Sequence, residues 1–179
     1  MMKDVKPIIF LVPVVVLILI STLYFYLLKK TTARKVFNKF IFIMITLSFL
    51  LNFAWELIQI PLYKNPANHT NHIAFCALAS LADMLMVLLL YFGLALIFKN
   101  SFWIQQLKLR RIVIVVLIGG AGAILSEMRH LFLGSWAYDH SMPIIPLVNV
   151  GIAPVLQFMM LPLLIYFLSF NFLKKHNIK

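Results

Sequence analysis

Five runs of apolar residues, each long enough to cross a bilayer, constrain this chain more than any other feature. They cover residues 7–28, 40–62, 73–98 and 112–133, and a final stretch in which 153–173 makes the span. A helix crossing the hydrocarbon core needs about 20 predominantly apolar residues. Lipid offers no water to satisfy exposed backbone groups, so such runs must be helices that close their own hydrogen bonds. The expected fold class is therefore all-α: a polytopic transmembrane helix bundle of about five helices. Composition agrees. Of 179 residues, 63% are apolar and 12% charged, against about 25% charged in a soluble domain. Such a chain has too little polar surface to cover a globule in water, and membrane lipid is its first partner.

Local punctuation supports the five spans. The first run has an apolar core too long for a signal peptide and no small-x-small cleavage site after it. It reads as an uncleaved helix ended by Lys29 and Lys30. The last stretch begins at Pro143, and Pro143, Pro146, Gly151 and Pro154 crowd its first third. Proline lacks the backbone donor a helix needs, so an irregular or interfacial lead-in is expected, with helix from about Ala153. Connections are short and no repeat or low-complexity tract interrupts them, so 1–179 reads as one transmembrane domain.

The net charge of +11 is distributed by loop. Twelve of the sixteen lysines and arginines follow the first, third and fifth spans; Lys3, Lys6, Lys64 and Arg129 lie at the opposite ends. Positively charged loops stay in the cytoplasm. The pattern predicts an outside N-terminus, a cytoplasmic C-terminus and residence in the cell's inner membrane. A basic stripe interleaved with aromatic residues, the footprint of nucleic-acid binding, is absent, so no nucleic-acid partner is expected. The single cysteine, Cys76, lies inside an apolar run and reads as a small buried hydrophobe. Nothing in the sequence sets an oligomeric state.

Three of the five acidic residues, Glu56, Asp83 and Glu127, fall within the spans. A charge at the bilayer centre costs at least about 2.5–3.5 kcal/mol, so such groups face the bundle interior and mark functional sites by default. On the second span, Asn52, Glu56, Gln59 and Tyr63 share one helical face, with Trp55 beside it. Glu56 lies ~9 Å below the outer boundary at ~1.5 Å per residue. On the third, His72, Cys76, Ser80 and Asp83 form a face that continues to Tyr91, and Asp83 is ~15 Å deep on the same rise. On the fourth, Ser126, Glu127 and His130 crowd the outer third, while Gly119, Gly120 and Gly122 let a neighbouring helix approach closely. The next loop carries Trp136, Tyr138, Asp139 and His140, and Asn149 and Gln157 flank the start of the last helix. The inner halves of the helices hold almost nothing polar. Three stripes should therefore converge one-third to halfway down from the outer face, in an outward-opening acidic and histidine pocket.

The chemistry this pocket could do is bounded by what is missing. Glu127-x-x-His130 resembles half of a bundle carboxylate–histidine metal site, which needs a second such motif and two more carboxylates. His69-x-x-His72, Asp139 and His140 could add ligands, but the spacings match no standard site, so no metal or cofactor is assigned. No G-x-S-x-G is present, and Ser80 and Ser126 lie near acids without an implied histidine partner. Arg129 reads as an interfacial side chain reaching water, and Trp136 and Tyr138 also suit an aromatic belt. Acid–base chemistry remains, with Glu56 as general acid and Asp83 or Glu127–His130 as conjugate base or charge stabiliser. Asn52, Trp55, Gln59, Tyr63, Trp136, Tyr138, Asn149 and Gln157 would bind and orient the substrate. Two other readings stay open: a protein that binds or transports protons, ions or a small solute, and a structural or assembly subunit whose polar stripes join helices.

Two resemblances bear on this choice. Asn52-Phe53-Ala54-Trp55-Glu56 resembles the N-x-A-W-E motif of the small integral-membrane terpene cyclases of fungal meroterpenoid and indole-diterpene pathways. That resemblance implies that Glu56 takes part in protonating an epoxide or olefin of an isoprenoid substrate, with Asp83 nearby. It covers about a third of the chain, and that family's bundle is usually larger than the five helices read here. The whole chain is also similar to a group of small bacterial membrane proteins sharing W-E-x-x-Q-x-P-L-Y, here Trp55 to Tyr63, and W-x-Y-x-x-x-M-P, here Trp136 to Pro143. A proline and glutamine follow, as in Pro154 and Gln157. This second resemblance implies no particular chemistry.

Overall fold

The computed structural model describes residues 11–64 and 69–177, with side chains placed for 14–64 and 73–175. It is an all-α bundle of five helices: α1 (Leu11–Lys30), α2 (Arg34–Gln59), α3 (His69–Ile97), α4 (Leu109–Phe132) and α5 (Ile152–Asn177). Among the described residues, four helices are long and apolar enough to cross a membrane: α2 with a short 3-10 extension, then α3, α4 and α5. The helices run past the apolar spans because lysines and arginines are good helix formers. Thus α2 starts at Arg34 rather than Phe40, and α4 at Leu109 rather than Ile112. Large apolar side chains such as Ile18, Phe42, Ile58, Leu78, Leu125 and Phe167 are exposed, as a lipid-solvated surface requires.

The helices do not pack evenly. α2 lies centrally against α3 and α5, α1 covers α3, and α4 packs on α5, whereas α3 and α4 scarcely touch. The α4–α5 contact has a local cause. Pro162 lies inside α5, and its missing N–H frees the carbonyl four residues earlier, that of Phe158. Gly119 of α4 sits against this same carbonyl, where any Cβ would overlap it, and Gly120 faces the Met159 side chain. Two of the three glycines read as close-approach residues thus meet α5. Gly122 meets nothing within 4 Å.

An aromatic core closes the end of the bundle that carries the α1–α2 and α3–α4 connections. Phe37, Phe40, Tyr91, Trp103 and Tyr166 are fully buried there. Tyr91 stacks on Trp103 at 5.4 Å and meets Tyr166 edge-on at 5.1 Å. Each polar tip finds a partner: Tyr91 Oη donates to Ser101 O at 2.7 Å and Tyr166 Oη to Val87 O at 2.7 Å. Arg111 ties the connection down by donating to Trp103 O at 2.7 Å and Gln106 O at 2.9 Å. Tyr91, expected along the polar face of the third span, belongs to this core instead. Its ring supplies more apolar area than its hydroxyl supplies polarity.

At the other end the proline-rich lead-in to α5 forms a small hairpin. Strand β1 (Ile144–Ile145) pairs antiparallel with β2 (Val150–Gly151), with Ile144 opposite Gly151. Asn149 completes the turn at φ 53°, a conformation asparagine tolerates. Helix α5 then begins at Ile152, one residue before the expected Ala153. A second clamp joins this loop to α2: Tyr63 bridges Tyr138, Lys64 N donates to Ala137 O at 2.8 Å, and Asp139 N donates to Leu62 O at 2.9 Å. The two aromatic motifs, 55–63 and 136–143, are held side by side.

Candidate functional site

The polar side chains meet where α2, α3 and α5 converge. Gln157 is buried on the second turn of α5. Its Nε2 donates to Asn52 Oδ1 on α2 at 3.0 Å and to Asp83 Oδ2 on α3 at 2.9 Å. The Asn52 amide is oriented in turn, because its Nδ2 donates to Ser48 O, one turn back, at 2.8 Å. One turn onward along α2, Glu56 faces both Gln157 and Asp83, and its Oε1 accepts from Gln59 Nε2 at 2.6 Å. Two carboxyl groups from neighbouring helices are thus held around one glutamine. Asn52 and Gln157 are both buried, and a buried polar group left without a partner is costly.

The third acid has its own cradle. Glu127 is buried on α4. One of its oxygens accepts from Trp136 Nε1 at 3.1 Å and also from Tyr138 Oη. Burial raises the pKa of the Tyr138 hydroxyl, and its bond to Glu127 adds to that rise. Burial likewise raises that of Tyr63, so both phenols stay protonated. Glu127 and His130 share a face of α4, but Trp136 separates them. Its ring stacks on His130 at 4.2 Å, while its indole N–H serves the carboxylate. His130 Nδ1 pairs with Ser135 Oγ at 3.3 Å.

These groups border a cavity of about 840 Å³ in the gap between α3 and α4, floored by α5. Glu56, Gln59, Tyr63, Asp83, Glu127, His130, Trp136 and Gln157 all line it. Most of the remaining wall is apolar, from Phe75 to Ile97 on α3 and from Ile118 to Ala123 on α4. Mostly apolar concavities of roughly 300–1,000 Å³ with a few convergent polar groups are the usual form of small-molecule sites.

Other candidate residues sit outside the lining. Asn52 is behind Gln157 and orients it. Trp55 packs against the main core with its indole N–H buried and unpartnered among the described residues. Asn149 is exposed at the hairpin turn. Tyr138 reaches the site through Glu127. Asp139 accepts at Oδ1 from the Ser141 backbone N–H and hydroxyl, both at 3.2 Å, and the backbone bond holds its pKa below the ordinary carboxylate value. It shapes the loop. Ser80 spends its hydroxyl on Cys76 O at 2.6 Å, whereas Ser126 lines the cavity. No group of three or more histidine, cysteine or acidic side chains among the described residues could hold a metal ion. His69 and His72 lie outside the residues with described side chains.

Some site members carried no sequence signal. Ser48 and Ser135 are unremarkable serines, and Gly93 resembles an ordinary helix glycine; Gly122, expected to admit a neighbouring helix, instead leaves open space in the lining. Only the asparagine–serine spacing of four on α2 hinted at the back-bond that orients Asn52. Comparison with known proteins returned no matching family model, curated protein or solved structure.

Proposed function

We propose that this protein is a membrane enzyme that uses acid–base chemistry on a lipid or isoprenoid-like substrate held in the cavity between α3 and α4. One observation carries the reading. Glu56 and Asp83, two carboxyl groups within the spans, are arranged around Gln157 at the wall of a largely apolar cavity. Simple interhelical bonding needs neither two acids nor a void beside them. In this reading Glu56 delivers a proton to an olefin or epoxide of the substrate, and Asp83, oriented by Gln157, receives one from the product-forming carbon. Glu127, pinned by Trp136 and Tyr138, stabilises positive charge between the two steps. The resemblance of residues 52–56 to the terpene cyclase motif supports the choice of Glu56.

The same reading places the polar end of the cavity toward the outer face of the inner membrane, supported by the lysine and arginine bias among the loops. A transporter needs a polar path to both faces, and the cavity wall toward the opposite end, from Leu89 to Ile97, carries no polar side chain. The interhelical bonds of Gln157 favour a structural subunit as the second reading.

The test is turnover by purified protein in lipid nanodiscs, supplied with polyunsaturated isoprenoids and their epoxides, with products read by mass spectrometry. A positioned general acid contributes about 10²–10⁴-fold, so Glu56→Gln should lose at least that much turnover while remaining folded. Undiminished activity in the variant sinks the assignment. Loss of folded protein without any wild-type turnover points to the structural reading.

A further inference from the structure

The glycines and one orphaned acceptor say what shape and polarity of molecule the cavity takes. After proline, glycine is the costliest residue in a helix interior, so each helical glycine calls for a reason. Gly119 and Gly120 have one in the approach of α5. Gly93 on α3 and Gly122 on α4 have none in packing: a Cβ at either would meet nothing within 4 Å. Both line the cavity, on its two facing walls. What they keep clear is the groove itself.

The groove is long and open sideways. From Phe75 to Ile97 its α3 wall runs ~33 Å at ~1.5 Å per residue, about the thickness of a hydrocarbon core. Phe75, Leu78, Met86 and Ile97 on that wall and Ile118 on the other are exposed. Because α3 and α4 scarcely touch, a chain can slide in from the bilayer without crossing water.

The polar end selects by charge. Three carboxyl groups line it, and among the described lining residues Lys64 is the only lysine or arginine. Phosphate recognition relies on arginine forks or lysine charges, which are scarce here. Gln59 is 5% exposed, its Nε2 is committed to Glu56, and its Oε1 is a buried acceptor with no donor among the described residues. A hydroxyl or an ammonium carries a hydrogen to give and a deprotonated phosphate oxygen does not; of the two donors, only the hydroxyl brings no charge through the hydrocarbon.

We infer that the groove between α3 and α4 takes a single long apolar chain bearing an uncharged hydroxyl head, which enters laterally from the bilayer and docks its head among Gln59, Glu56 and Glu127. This rests on reading the cavity as the substrate site and names the substrate class for it. Isoprenoid and fatty alcohols share this chemistry.

The full chain in nanodiscs is titrated with geranylgeraniol, oleyl alcohol, geranylgeranyl diphosphate and geranylgeranylamine, and bound ligand is counted by native mass spectrometry. At least one alcohol should bind tenfold or more tightly than both the diphosphate and the amine, and the preferred alcohol identifies the chain. Gly93→Leu and Gly122→Leu should each weaken that alcohol tenfold or more with no fall in unfolding temperature. Equal or tighter binding of the diphosphate or amine to the wild-type protein overturns the inference, even if neither glycine variant folds. So does unchanged alcohol binding in both folded variants. Alcohol binding without Glu56-dependent turnover upholds the inference and removes the enzyme reading alone.

Discussion

Replacing Gln157 with leucine tests the centre of the polar cluster. The side chains are similar in volume, so no cavity opens, and the change removes the two interhelical bonds from Nε2, to Asn52 Oδ1 at 3.0 Å and to Asp83 Oδ2 at 2.9 Å. Interhelical side-chain hydrogen bonds in a membrane average about 0.6 kcal/mol and reach about 1.7. Two of them set the expected loss of stability at about 1.2 to 3.4 kcal/mol. The upper half is favoured for a residue this buried, since Asn52 is left with an unsatisfied acceptor. Reversible unfolding in mixed micelles measures the loss. A double-mutant cycle with Asn52→Ala isolates one bond: the Asn52 contact to Ser48 is lost in the single variant and cancels. The coupling should lie between about 0.6 and 1.7 kcal/mol. A coupling within the ~0.3–0.5 kcal/mol scatter of independent sites would refute the contact and with it the convergence of α2 and α5. Turnover should fall about a hundredfold through misplacement of Asp83, a drop that stability loss in a still-folded protein does not produce.

Two further predictions concern stability alone. Gly119→Ala should destabilise by about 1–3 kcal/mol, because its methyl meets the Phe158 backbone carbonyl, which cannot swing aside. Gly122→Ala, with open space at its Cβ, should instead stabilise by up to about 1 kcal/mol; equal effects would mean that α4 does not lean on the proline-freed carbonyl. Asp139, whose pKa is depressed in the folded protein by the Ser141 backbone N–H, should support the loop clamp above the ordinary carboxylate pKa of about 3.9. That support should fade as pH falls through the depressed value. The protection of the Ser141 amide relative to its intrinsic exchange rate should therefore fall at acid pH in the wild-type protein and be already low, without that acid step, in Asp139→Ala.

The division of labour between sequence and tertiary structure follows from what each interaction depends on. Whether a segment crosses lipid depends on its own summed transfer free energy and backbone hydrogen bonding. The helical spans were therefore legible residue by residue, and so was the break before α5, where four residues of the Pro143–Pro154 stretch disfavour helix. The candidate acids were legible for a related reason: an ionisable group inside an apolar run is costly wherever the run goes. Which groups meet depends on helix packing, and helical periodicity gives a face without giving its neighbour. Glu127 and His130 share a face of α4, yet Trp136, brought in by the loop clamp on α2, separates them. Tyr91 continues the face of Asp83 but belongs to the aromatic core. Gln157, one polar residue near a run of prolines, became the link between α2 and α3 only when α5 packed against both. The clustering of polar residues toward one end of the spans was thus a property of the chain. The gap between α3 and α4 was decided by the bundle, because α4 spends Gly119 and Gly120 on α5 and scarcely touches α3.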